Sequence, residues 1–156
     1  MAVNIRAGEP RDRVAIAAAI GSDATFRPDE VEVAFELVDA GLAGSTDYAI
    51  RVADDGDQIV GYLCFGPTPM TRSTYDLYWI VVHAQARGRG VAGALIGAME
   101  DEVRGRGGGQ IRVETSETES YGAARALYLR HGYAVAAHLA DFYAPGDALI
   151  IYYKRI

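Results

Sequence analysis

The chain has 156 residues with a formal net charge of −6, half of them hydrophobic and 23% charged. That is one domain's worth of sequence, long enough to bury a core without covalent staples, and no apolar run reaches the roughly eighteen residues of a membrane span. The acidic balance excludes general nucleic-acid binding, which relies on a broad basic face, and a single cysteine, Cys64, excludes an internal disulfide.

The amino terminus, Met1 to Arg6, runs into a strand-like pattern with no signal-peptide core, which predicts a cytoplasmic protein. Val3 to Ala7 reads as a short strand. Pro10 suits the first turn of a helix running to about Ile20, and Pro28-Asp29-Glu30 opens a second, with Val31, Phe35, Val38 and Leu42 at helical spacing. Two strands follow, near Tyr48–Ala53 and Ile59–Phe65, and the turn residues Asp54-Asp55-Gly56-Asp57 between them predict a hairpin. Tyr75 to Val82 is a strong, mostly apolar strand, expected to be central. From Val91 an apolar stripe through Leu95 and Met99 predicts a helix that stops at Gly105 and Gly107-Gly108-Gly109.

Ile111 to Thr115 is the next strand. A crossover of helical length precedes it, so it is expected to lie parallel to Tyr75–Val82. Ala124, Leu127, Tyr128 and His131 share one helical face, Gly132 caps that helix, and strands near Tyr133–Leu139 and Ala148–Lys154 finish the chain, with Asp141–Asp147 as the loop between them. The order is βααβββαβαββ, with no repeat or linker to justify a second domain. Residues 1–156 are read as one domain.

Arg87-Gly88-Arg89-Gly90-Val91-Ala92-Gly93 carries the most chemistry. Positions without side chains let backbone N–H groups close on an anion, the helix N-terminus behind them adds partial positive charge, and two arginines add full charges. Gly88 to Gly93 also spells G-x-G-x-x-G, the dinucleotide fingerprint, with Glu114 downstream. That fingerprint places its first glycine at the strand end, whereas His83 to Arg87 intervene here, and too little chain follows Glu114 to complete a doubly wound sheet. A P-loop fails because no Gly-Lys-Ser/Thr occurs.

With this element order, Arg87-x-x-Gly90-x-Ala92 resembles the Q/R-x-x-G-x-G/A signature of the GCN5-related N-acetyltransferase (GNAT) superfamily. Tyr121-x-x-Ala124-x-x-Leu127-Tyr128-x-x-x-Gly132-Tyr133 is similar to that family's second cofactor segment, with Tyr121 where an Asn is common. The resemblance covers nearly the whole chain. It implies an α/β fold: a mixed, mostly antiparallel sheet of about seven strands, flanked by about four helices, its fourth and fifth strands parallel.

The resemblance also implies acetyl-CoA as cosubstrate. Its pyrophosphate is expected on the amides of Gly88, Arg89, Gly90, Val91, Ala92 and Gly93, with Arg87 and Arg89 as charged partners, and Tyr121 is expected to meet the cofactor from the second segment. The pantetheine arm is expected along Val81 and Val82, where a backbone amide can polarise the thioester carbonyl. Tyr128 matches the family's general acid, a phenol whose ordinary pKa lies not far above a thiol's. Asp76 and Glu114 compete as the base that takes the amine's proton.

Other residues carry less. Cys64 in a strand is expected to be a small core residue, His83, His131 and His138 lack metal-ligand spacing, and Tyr75, Tyr78 and Trp79 fit either a core or an acceptor cleft. The expected function is direct acetyl transfer to a primary amine on a small molecule or peptide, with no metal, nucleic acid or membrane partner and with a homodimer allowed. A coenzyme A-binding sensor without turnover is the alternative. Whole-chain charge cannot say where acidic residues cluster, so the acceptor stays open.

Overall fold

A computed structural model describes residues 2–156. In chain order the elements are β1 (Asn4–Ala7), α1 (Arg13–Gly21), α2 (Pro28–Leu42), β2 (Ala49–Asp54), β3 (Ile59–Pro67), β4 (Thr74–Val82), α3 (Val91–Gly105), β5 (Gln110–Ser116), α4 (Gly122–Arg130), β6 (Ala134–Ala144) and β7 (Asp147–Arg155). The seven strands form one sheet in the order β1-β2-β3-β4-β5-β7-β6, antiparallel throughout except for the parallel β4–β5 pair. None of the described helices is long and apolar enough to cross a membrane.

Alternation along β3 divides the core. Leu63 and Phe65 join a cluster with Leu95, Ile96, Met99 and Val103 of α3 and with Tyr128 of α4, while Tyr62 and Cys64 join Ile16, Ile20 and Val38 of α1 and α2. Successive side chains of a strand point to opposite faces, so β3 is buried on both sides and sits mid-sheet. Cys64 is a core residue, as expected, and burial pushes its thiol up to about 12.

What positions the site is the way β4 leaves β5. The two strands pair over only four positions, Thr74 to Leu77 against Gln110 to Val113. At the next residue β4 carries a bulge: Cys64 faces Trp79 and Phe65 faces Leu77, so Tyr78 is the extra residue. A bulge bends its strand and increases local twist, which swings the rest of β4 away from β5 and leaves one strand edge unpaired.

Two boundaries differ from the sequence reading. The first helix begins as a 3₁₀ turn at Pro10–Asp12, where the Asp12 carboxylate accepts the Glu9 N–H at 2.8 Å and two bonds from Arg6 at 2.8 and 3.0 Å. The segment Asp141–Ala144, expected as loop, continues β6. It does so through an irregular stretch in which Asp141 adopts φ 58° and its carboxylate accepts the Gly146 N–H at 2.8 Å, so only Pro145-Gly146 remains as the turn. Asp is among the few side chains that tolerate this conformation.

Candidate active site

The splay between β4 and β5 opens a groove of about 1050 Å³. Its floor is the second half of β4 and of β5. One wall is α2 with the segment before it, the other is α4, and the 86–93 connection closes one end. The α4 wall follows from helical spacing, since Ala124, Leu127 and the C-cap His131 recur on one face and all border the groove.

The free edge of β4 has a definite phase. His83 N–H donates to the Val60 carbonyl at 2.8 Å, and the β3–β4 register is regular from there to Trp79. Peptide groups alternate sides along a strand, so those of Val81 and Trp79 face Tyr62 and Cys64 of β3, and those of Ile80 and Val82 face the splay. Two unpaired peptides therefore line the groove like the edge of a sheet awaiting one more strand.

Beyond Val82 the chain reaches Gly88 and Gly90, both in the left-handed region with φ 78° and 76°. A Cβ at either would meet nothing within 4 Å, so the demand for glycine there is conformational rather than spatial. Gly90 is the N-cap of α3, no side chain caps this end, and the first turn holds no acidic residue. The amides of Val91, Ala92 and Gly93 thus have no intrahelical acceptor and carry the positive end of a fifteen-residue helix. Arg87 borders the same space and pairs with Asp23 at 3.1 Å. These groups could hold an anion, and with the free β4 edge beside them the residues fit a pyrophosphate joined to an extended amide arm.

Tyr128 lies where α4 crosses this groove. The residue is 5% exposed, its ring packs on Tyr133 and Tyr152 with centroids 6.2 and 5.6 Å away, and burial, with Tyr152 beside it, pushes its phenol above the usual range. No described residue accepts a bond from its hydroxyl. The sealed, unpartnered side-chain oxygen among the described residues is that of Tyr62, so the Tyr128 hydroxyl keeps an opening to the groove it borders.

At the opposite end the groups are carboxylates, phenols and guanidinium groups. Asp76 is 7% exposed and fully engaged: Arg112 Nε donates to Oδ1 at 2.7 Å, Thr68 Oγ1 to Oδ2 at 2.8 Å and the Tyr78 hydroxyl to Oδ2 at 3.5 Å. The parallel register makes this pair, because Asp76 lies directly opposite Arg112. Two residues along β5 on the same face, Glu114 stands more open, 3.6 Å from Arg112. Tyr78, raised to about 12 by burial and then by Asp76, completes the floor. Tyr121 donates its hydroxyl to Glu30 of α2, tying the two walls together, and burial with that bond pushes its phenol up.

A family model described as an acetyltransferase (GNAT) domain matches residues 46–135. A solved structure from Desulfovibrio desulfuricans, described as a GNAT-family acetyltransferase, is 38% identical over 99% of both chains with a TM-score of 0.91. The chain belongs to the GNAT acetyltransferase family. The same fold recurs at low identity. The Escherichia coli ribosomal-protein-S18-alanine N-acetyltransferase is 19% identical with a TM-score of 0.78, over 99% of this chain and 94% of that one. Salmonella typhimurium yncA, solved with its cofactor acetyl-CoA, is 18% identical with a TM-score of 0.76 over the same shares. No curated protein matches the chain.

Of the site residues read from the sequence, this GNAT groove is bordered by Asp76, Val81, Val82, Arg87, Gly88, Gly90, Val91, Ala92, Gly93, Glu114, Tyr121 and Tyr128. Arg89 is turned elsewhere, its guanidinium 3.9 Å from Asp55 and its Nε 3.5 Å from the Ala86 carbonyl. Val81 keeps its side chain in the α1–α2 core and its peptide toward β3, so Ile80 joins Val82 at the free edge. Sequence reasoning passed over Arg112, Glu30 and Arg130, all of which border the groove, as do His131 and Asp147. The His131 ring sits so close to Gly93 that a Cβ there would lie 3.2 Å from Nε2. Helical spacing from Leu127 pointed to His131, whereas Arg112 becomes visible only through its register with Asp76.

Proposed function

We propose that this GNAT chain transfers the acetyl group of acetyl-CoA directly to a primary amine. The observation that carries the reading is the continuity of one groove. It runs from the uncapped N-terminus of α3, along the free Ile80 and Val82 peptides, past the unpartnered Tyr128 hydroxyl, to the carboxylates beyond Tyr78. A pyrophosphate at the α3 amides sets the pantetheine along β4 and brings the thioester beside Tyr128.

The chain's groups then divide the work. The β4 amides facing the splay stabilise negative charge as it builds on the thioester oxygen. As the amine nitrogen bonds to the acetyl carbon and the carbon–sulfur bond breaks, Tyr128 gives its proton to the departing thiolate. Burial supports this role, since a phenol held neutral keeps its proton until the thiolate needs it. The amine's proton leaves to Glu114, directly or through water. Asp76 is a poorer acceptor, because Arg112, Thr68 and Tyr78 already occupy both its oxygens. Its contribution is to hold Arg112 and Tyr78 in place.

Thiol release from acetyl-CoA across a panel of primary amines tests the reading. Amine-dependent release with stoichiometric acetylated product is the expected result. Tight coenzyme A binding with no release on any amine would contradict it.

A further inference from the structure

Tyr121 and Glu30 border the groove from opposite walls and are bonded to each other, so their bond crosses it. Its two ends differ in how firmly they are held. On the α4 side Tyr121 is the N-cap residue, and its N–H donates to the Thr118 carbonyl at 3.1 Å. The Arg125 guanidinium fixes the segment before it, donating to the Ser116 and Thr118 carbonyls at 2.7 Å each. On the α2 side no residue from 28 to 33 is buried, and the buried residues of the helix begin at Ala34. A segment with few buried contacts opens at low cost, so this end of α2 stays in place only as far as its local ties hold it.

Phe26, just before the helix, rests edge-to-face on Trp79 with centroids 5.4 Å apart, and the tie across the groove is Glu30. Glu30 carries that tie into the backbone. Its Oε1 accepts the Arg27 N–H at 3.2 Å, part of a capping box on the first turn of α2, and the Arg27 guanidinium lies 3.5 Å from the same oxygen. Its Oε2 accepts the Tyr121 hydroxyl. One carboxylate thus joins the first turn of α2 to the fixed start of α4 through a charge-assisted bond.

We propose that the Tyr121–Glu30 bond is a clasp that sets the width of the acceptor half of the groove, which makes Tyr121 a positioning residue for the amine, acting through Glu30 and α2, rather than a contact to the cosubstrate. The inference rests on the N-acetyltransferase reading. Opening the clasp lets Arg27, Glu30 and Val33 shift with α2, whereas the α3 amides and the free β4 edge belong to other elements and keep their places.

Tyr121→Phe keeps the ring and removes the bond. At saturating acetyl-CoA the KM for the amine is expected to rise about fivefold or more with kcat changed less than about twofold, and acetyl-CoA affinity is expected to stay within about twofold. Glu30→Gln keeps an uncharged acceptor and should raise KM less. The double variant should be no worse than Tyr121→Phe alone, because both changes act on one interaction. Residue-resolved amide hydrogen exchange of the free protein reads the clasp without turnover: in Tyr121→Phe, residues 31–35 should exchange about fivefold faster or more while residues 126–130 keep their rates. A comparable loss of acetyl-CoA affinity, additive losses in the double variant, or unchanged exchange in α2 overturns the inference. Faster α2 exchange in a protein that acetylates no amine would keep the clasp and reject the transferase reading. Amine turnover with KM and α2 exchange both unmoved by Tyr121→Phe would do the reverse.

Discussion

At the α3 end of the groove, the proposed cofactor end, the lining groups are peptide N–H donors, set by a strand bulge, two left-handed glycines and an uncapped helix, whereas at the proposed acceptor end they are side chains from α2, β4, β5 and β7. The first arrangement depends on local backbone geometry and tolerates variation in most side chains. The second depends on which charges the topology brings together, and one substitution can change what it accepts. A fold built this way can keep one cosubstrate while its acceptor varies.

The largest effect is expected where the two ends meet. Tyr128→Phe should lower kcat by about a hundredfold or more, the usual worth of a positioned proton donor, with acetyl-CoA affinity nearly unchanged. Rapid-quench rates alongside titration calorimetry check both halves, and an equal loss in binding would assign Tyr128 to packing instead. The same phenol gives a pH prediction. Because burial raises its pKa above the ordinary value near 10, the neutral donor form persists through that range, and kcat should show no alkaline fall below about pH 10. An alkaline limb near pH 8 that disappears in Tyr128→Phe would contradict the assignment.

Next comes the backbone end. Gly90→Val forces a β-branched residue into φ 76°, at a cost of roughly 1–2 kcal/mol or more. If the loop answers by changing conformation, acetyl-CoA affinity should fall about tenfold while the amine KM changes little. A loss confined to the amine would break the division between the two ends.

On the side-chain end the effects are smaller and separable. Glu114→Gln should reduce kcat/KM for the amine about tenfold, because a proton acceptor is lost. Asp76→Asn should lower kcat/KM by less, since Asp76 positions Arg112 rather than taking the proton. Exchange of these two outcomes would make Asp76 the base.

The two ends also differed in how legible they were. Gly88 and Gly90, the apolar stripe of α3 and the Leu127-Tyr128 face of α4 are local patterns, and they led from the residues to the groove and to the GNAT fold. Ile80 was missed because the choice between it and Val81 depends on the phase of the ladder, set by a single bond from His83 to Val60. Arg89 was expected beside the ligand on charge alone, and its reach toward Asp55 in the β2–β3 turn is not a sequence signal. Glu30, Arg112 and Asp147 lie far apart in the chain. That all three border one groove is a product of the sheet order, which composition does not encode.

Ile80 and Val82 offer free peptides to an extended arm while Val81 is already bonded to β3. Amide hydrogen exchange measured residue by residue, with and without coenzyme A, tests this most directly. The expected result is that Ile80 and Val82 gain strong protection on binding, while Val81 is protected in both states. Unchanged exchange at Ile80 and Val82 in the saturated complex would contradict it.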